Sequence, residues 1–224
     1  MRNILKIIIF ILLIWFIWAF NIKPFQINSQ INIAGLLAKN GYCDAAIETM
    51  EKTLPEKNFL GSYLRLKYVE IINQCIKEKG GTEAEALMEK AIMLLEEATK
   101  IRPYYTRTWM LLGAYNRDLM ENYGKDNAGQ TAVAFEKANQ LSPKRTEILI
   151  ELNNAYIQIK NYPGLVETYS ALIKLEPDDP QNYASLAFVY KELGETEAAK
   201  KTALKIIELF PEHKNETEAF LQTL

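Results

Sequence analysis

The hydrophobic and polar positions divide the chain into two parts with different patterns. From Ile4 to Phe20 every residue is apolar except Lys6, whereas later segments alternate apolar and polar residues with the period of a helix. The residues from Ile4 to Ile22 would form a helix of about 28 Å, close to the thickness of a bilayer's hydrocarbon core. The pattern therefore predicts a transmembrane anchor at residues 1–23 that contacts lipid through residues 4–22.

A cleaved signal peptide is the main alternative for this segment. Its processing site would need small residues, but the segment ends in bulky residues and offers only Ala19. Arg2 and Lys6 precede the stretch from Ile7 to Phe20, which has no ionisable residue, whereas only Lys23 closely follows it. By the positive-inside rule this favours a cytoplasmic N-terminus and an extracytoplasmic body, either periplasmic or on the cell surface, by one or two charges.

Regularly spaced prolines reveal a repeat in the remainder of the chain. Pro143, Pro177 and Pro211 are 34 residues apart, and Pro103 precedes Pro143 by 40. Two antiparallel helices and two turns occupy about 34 residues, and proline stops the second helix because it lacks an N–H. The unit with the longer spacing carries its extra residues between its helices, near Asn122. The pattern predicts five helix pairs and a C-terminal cap at residues 25–57, 58–103, 104–143, 144–177, 178–211 and 212–224.

The phrases Trp109-x-x-Leu112-Gly113 and Phe135-x-x-Ala138, followed by Pro143, resemble the tetratricopeptide repeat. Helical apolar stripes in the two following units keep the same register. The resemblance covers most of residues 24–224. It implies an all-α, right-handed α-solenoid that binds a protein or peptide on its concave face and has no catalytic activity.

A weaker resemblance concerns the phrases at residues 102–113 and 138–145. They look like the extracytoplasmic repeat tails of bacterial O-antigen ligase-like membrane proteins. The chain lacks the multi-helix catalytic portion of those proteins. The resemblance therefore implies, as an alternative function, an accessory or truncated relative within a cell-envelope glycan assembly complex.

Residues on the first helices of the last three pairs are the candidates for a peptide-binding groove. The repeat register places them off the core stripe, where apolar and charged side chains can meet a ligand. Neighbouring helices or the cap could equally cover them, and the sequence leaves that open. The candidates are Arg107, Met110, Arg117, Glu147, Ile150, Asn154, Ile157, Phe188 and Lys191.

The two cysteines, Cys43 and Cys75, flank a predicted turn between two neighbouring helices. They lie at similar distances from that turn, so they could face each other within about one helical turn. In an oxidising compartment they would form a disulfide that staples the first two units. The alternative is a pair of unrelated buried thiols.

Composition and charge exclude several classes of function. Beyond residue 23 the chain has 23 basic and 28 acidic residues, a net charge of −5, which predicts no nucleic-acid partner. With one histidine, two cysteines and five serines, it has little material for a metal site or a nucleophile–base pair. We therefore predict no enzyme activity, no cofactor and no metal.

Overall fold

A computed structural model describes residues 2–54 and 60–224, with side chains from Ile4 onward. These described ranges contain twelve α-helices and no strand. The helices divide into two compact units, Met1–Tyr104 and Tyr105–Leu224, and each unit is described by itself.

The first unit begins with one long helix followed by three shorter ones. A five-residue π-helical turn, Trp18–Ile22, joins α1 to α2 without a break. Consecutive helices then pack as the antiparallel pairs α2/α3 and α4/α5. The described residues of this unit form α1 Arg2–Ile17, α2 Lys23–Lys39, α3 Cys43–Thr53, α4 Gly61–Glu78 and α5 Gly81–Ile101.

The helix does not end at residue 23, where hydropathy places the end of the anchor. Pro24 stands in the first turn of α2, and the wider π-helical turn directly precedes it. Such a turn accommodates a proline, whose ring and missing N–H disrupt a regular α-helical ladder. Within the described residues, Ile4–Lys39 is the one helix long and apolar enough to cross a membrane. The span itself remains a prediction.

The second unit contains three helix pairs and a C-terminal helix. The pairs lie within residues 104–143, 144–177 and 178–211, and a short 3-10 turn, Pro211–His213, leads into the last helix. The helices are α6 Thr106–Tyr123, α7 Ala128–Leu141, α8 Thr146–Gln158, α9 Tyr162–Leu175, α10 Pro180–Glu192, α11 Thr196–Leu209 and α12 Lys214–Leu221.

The extra residues of the first pair in this unit lie mainly in a helix. The proline spacing and the residues near Asn122 predict them between α6 and α7, but the connection comprises only residues 124–127. Helix α6 has 18 residues, compared with 13 in each of α8 and α10. The added length therefore extends α6, which ends at Tyr123 and is followed by Gly124 in a left-handed conformation.

Close helix contact in the second unit depends on small residues. Gly113 in α6 lies against the ring of Phe135 in α7, and a Cβ at Gly113 would stand 2.8 Å from that ring. Phe135 is 1% exposed. One buried cluster joins side chains of α7 to α10: Ala132, Phe135, Leu152, Ala155, Tyr156, Leu165 and Val189.

The two cysteines meet in the first unit. Cys43 begins α3 and Cys75 lies near the end of α4, and the structure joins them in a disulfide with Cα atoms 5.5 Å apart. Both side chains are buried. The arrangement is the pairing expected for an oxidising compartment, whereas the redox state of the thiols in the cell remains a prediction.

Candidate binding groove

A groove of about 770 Å³ opens in the second unit between α8, α9, α10 and α12. Ligand sites in proteins commonly have volumes of about 300–1,000 Å³. Apolar side chains dominate its lining, among them Ile157, Leu165, Phe188 and Phe220. The groove is thus large enough to accept several side chains of a bound segment.

Two of the residues predicted from the sequence line this groove. Ile157 in α8 and Phe188 in α10 are both exposed, although their helices bury Leu152 and Leu186 on another face. Exposed apolar side chains that converge on one groove are typical of a binding surface. The geometry therefore places Ile157 and Phe188 where a ligand could cover them.

Other predicted residues on α8 lie outside the groove. Ile150 and Asn154 precede Ile157 by seven and three residues, so they share its face of the helix. Ile150 is exposed, and Asn154 borders a separate small recess beside Arg117. Glu147, at the start of α8, is exposed, and its carboxylate lies 3.7 Å from the guanidinium of Arg145.

Arg117 is engaged by carboxylates of its own unit. Its guanidinium forms ion pairs with Asp118, at 2.9 Å, and with Glu151 of α8. The side-chain hydrogen bond to Glu151 raises the pKa of Arg117 above its ordinary value, although partial burial opposes this. The repeat register predicts Arg117 as a groove cation, whereas the structure shows a half-buried residue that links α6 to α8.

The structure places the last three predicted residues apart from the groove lining. Arg107 is exposed in the first turn of α6, and Met110 is half-buried one turn later. Lys191 donates a hydrogen bond of 2.8 Å to the hydroxyl of Thr223, and its ammonium lies 5.7 Å from the ring centre of Phe220. The C-terminal segment therefore partly covers Lys191.

The C-terminal helix also contributes to the groove, which was not predicted from the sequence. His213, Glu216, Thr217 and Phe220 all line it, and His213 Nδ1 lies 3.4 Å from a Glu216 carboxylate oxygen. The signal was present, because Thr217 and Phe220 follow Tyr183 and Leu186 of α10 by 34 residues. Continuing the repeat by one more helix would have found them.

The groove has no arrangement that suggests a metal. Within residues 2–54 and 60–224, no group of three or more His, Cys, Asp or Glu side chains is placed to hold a metal ion. His213 and Glu216 form a pair without a third such ligand in the described part of the chain. The geometry suits binding through apolar contacts.

Comparison with known proteins identifies the repeat. The Tetratricopeptide repeat family model matches residues 180–213, which include α10 and α11. Hsp70-Hsp90 organizing protein 3 of Arabidopsis thaliana is 28% identical over 165 residues, which cover 66% of this chain and 29% of that protein. Hsp70-Hsp90 organizing protein 2 of the same plant is 28% identical over 160 residues, which cover 65% and 27%. This chain thus spans less than a third of either relative.

Solved structures share the fold at low sequence identity. YrrB, described as a TPR protein with an unusual peptide-binding site, has a TM-score of 0.56 and 15% identity, with 87% of this chain and 91% of that chain covered. MamA gives 0.54 and 18%, covering 82% and 97%. A chain of the Naa15/Naa10 complex bound to HypK-THB gives 0.57 and 21%, covering 82% and 25%.

None of the proteins reported above is an O-antigen ligase, so the glycan-assembly alternative remains a prediction. The helix pairs, the 34-residue spacing and the family match all indicate repeated pairs of antiparallel helices. Together with the solved structures, they support a tetratricopeptide repeat protein.

Proposed function

We propose that this protein is a non-catalytic scaffold, anchored in a membrane by residues 4–22, that holds a protein or peptide in the groove of the second unit. Tetratricopeptide repeat proteins are generally scaffolds for protein–protein interaction. The observation that carries the proposal is the groove itself, in which Ile157 and Phe188 remain exposed. The described peptide-binding site of YrrB, which has a similar fold, supports the same class of ligand.

The lining of the groove favours a ligand with apolar anchor residues and little net charge. Two nearby cations are engaged within the unit, Arg117 by carboxylates and Lys191 by Thr223 and an aromatic ring. The side chains with formal charge that line the groove are Lys160 and Glu216, which have opposite signs. Apolar anchors at helical spacing would use such a surface well.

Peptide selection tests the groove directly. We expect a displayed peptide library, selected on the full chain in detergent, to yield peptides rich in apolar residues. Phe188→Ser should weaken their binding by about tenfold or more, because an anchoring aromatic ring is lost. Affinity is measured by fluorescence anisotropy. Leu204→Ser is the matched control, since Leu204 is also exposed but lies outside the groove. Equal affinity of both variants for the selected peptides would contradict the proposal that the groove is the binding site.

We further propose that the helix pairs lie outside the cytoplasm. The extra basic residues before the apolar run favour this orientation. The paired geometry of Cys43 and Cys75 also supports it, because disulfides persist mainly in oxidising compartments.

Thiol labelling tests the orientation. We expect a membrane-impermeant maleimide to label Asp126→Cys in intact cells, since Asp126 is exposed in the connection between α6 and α7. The buried pair Cys43 and Cys75 should contribute no background. Asn3→Cys, on the other side of the apolar run, should react only after lysis. The reverse pattern would place the helix pairs in the cytoplasm.

A further inference from the structure

Helix α2 carries an apolar stripe on its exposed side. Phe25 is 75% exposed, Ile33 45% and Leu36 62%. With Ser29 they occupy positions i, i+4, i+8 and i+11, which lie on one face of a helix. The opposite face packs into the first unit through Ile27, Ile31, Ala34 and Ala38. We call the stripe of Phe25, Ser29, Ile33 and Leu36 the open face of α2.

The turn after α2 fixes the register of this helix against the later repeats. Gly41, Lys160 and Gly194 each have a positive φ, of 81°, 55° and 74°, at the same point between the two helices of a pair. In each turn the residue that follows donates its N–H to a carbonyl five residues earlier in the first helix. The three helices α2, α8 and α10 can therefore be compared position by position.

The comparison shows that the open face of α2 corresponds to a buried face elsewhere. Ile33 takes the position of Leu152 in α8 and Leu186 in α10. Leu36 takes the position of Ala155 in α8 and Val189 in α10. The four equivalent residues are all buried: Leu152, Leu186, Ala155 and Val189.

The preceding second helix covers that face in the later repeats. Helix α7 packs on α8, and α9 packs on α10. In the first case Ala132 and Phe135 of α7 join Leu152 and Ala155 of α8 in one buried cluster. No described helix occupies this place on α2. The helix that precedes it, α1, continues into α2 through the π-helical turn and therefore does not fold back onto it.

At the C-terminal end of the repeats, by contrast, a capping helix covers the last pair. Helix α12 packs on α11 and presents charged residues outward, including the pair Lys214 and Glu218 at 3.7 Å. A terminal repeat with a polar outer face is what keeps a solenoid end in water. Between Lys23 and Lys39, α2 has no ionisable residue at all. The open face of α2 thus lacks the charged side chains of a terminal repeat surface, and its composition resembles that of a buried helix face.

We infer that the open face of α2 binds an amphipathic helix of another protein, which packs antiparallel to α2 in the place of a preceding second helix. The bound helix would present apolar residues at i, i+3 or i+4 and i+7, with no charge in the seam. This inference is independent of the groove in the second unit, since it concerns residues of the first.

Two other occupants fit the surface less well. Lipid would have to cover the exposed amides Gln26, Asn28, Gln30 and Asn32 that flank the stripe, and amides without partners are costly in hydrocarbon. A second copy inserted in the same direction would hold its α2 parallel to this one. Consecutive helices in the repeats run antiparallel, so a parallel copy would not reproduce their packing.

A peptide derived from the chain itself supplies the test. The probe is a stapled, fluorescent peptide with the sequence of residues 162–175, because α9 packs on the α10 face equivalent to the open face of α2. We expect it to bind the full chain in nanodiscs, and Leu36→Asp to weaken binding by about tenfold or more. Leu209→Asp, an equally drastic change at an exposed leucine of the second unit, should leave the affinity unchanged. No binding to the wild type, or equal loss in both variants, would overturn the inference.

A second measurement on Leu36→Cys separates the occupants. A polarity-sensitive fluorophore attached there should report a watery environment in nanodiscs and shift to the blue only when the peptide is added. A blue-shifted signal without peptide would identify lipid as the occupant and overturn the inference. Efficient copy-to-copy disulfide formation by the same variant in membranes would instead identify a second copy, with the same consequence.

Discussion

Removal of the Cys43–Cys75 crosslink is expected to lower the free energy of unfolding of the first unit by about 3–4 kcal/mol. The two residues are separated by 32 positions, so the bond closes a long loop and reduces the entropy of the unfolded chain. The double variant Cys43→Ala, Cys75→Ala removes the bond without placing a hydroxyl in the buried site. Urea unfolding of the full chain in detergent, followed by circular dichroism, measures the change.

Reduced wild-type protein is the matched control for this variant. Reduction breaks the bond and leaves both sulfur atoms in place, so it isolates the crosslink from the packing of the side chains. We expect the reduced protein and the double variant to unfold at similar urea concentrations, both below that of the oxidised protein. If oxidised and reduced protein unfold together, the pair contributes no crosslink to stability.

Gly113→Ala is expected to destabilise the second unit by about 2 kcal/mol, within the range for overpacked cores. The added Cβ would stand 2.8 Å from the ring of Phe135, which is 1% exposed, so the ring or the helix would have to shift. The melting temperature, or the urea midpoint if melting is irreversible, gives the measurement.

The same substitution at a second glycine provides the control. Gly129 lies in the first turn of α7, and a Cβ there meets nothing within 4 Å. Because alanine favours a helix over glycine, Gly129→Ala should leave stability unchanged or raise it by up to about 1 kcal/mol. Similar stability in both variants would mean that Phe135 can move aside, contrary to the packing described above.

The helix ends in the repeats could be predicted well because their signal is local. A proline acts on the turn that precedes it, whatever surrounds the helix. Four second helices therefore end two residues before a proline of the repeat, at Ile101, Leu141, Leu175 and Leu209. The junction of α1 and α2 could not be predicted in this way. There Pro24 follows a π-helical turn, and the helix continues through it.

The candidate groove was only partly predictable. Periodicity places Ile157 and Phe188 on the face that lines it, since the face of a residue depends only on its position along the helix. The partners of Arg117 and Lys191 include Glu151, on another helix, and Thr223, beyond the end of the last one. Which long side chain reaches which partner depends on how the helices pack, and the period of the sequence does not contain that information.

If residues 4–22 span a membrane as proposed, the continuous helix from α1 to α2 would couple that span mechanically to the first unit. Residues 2–39 form about 57 Å of helix, with no non-helical linker between the proposed span and α2. Spans tilt to match their length to the thickness of the surrounding lipid. A change in the tilt of the span would change the orientation of α2. Helix α3 would move with α2, because the two helices pack together. Membrane thickness would then set the angle at which the first unit meets its partners.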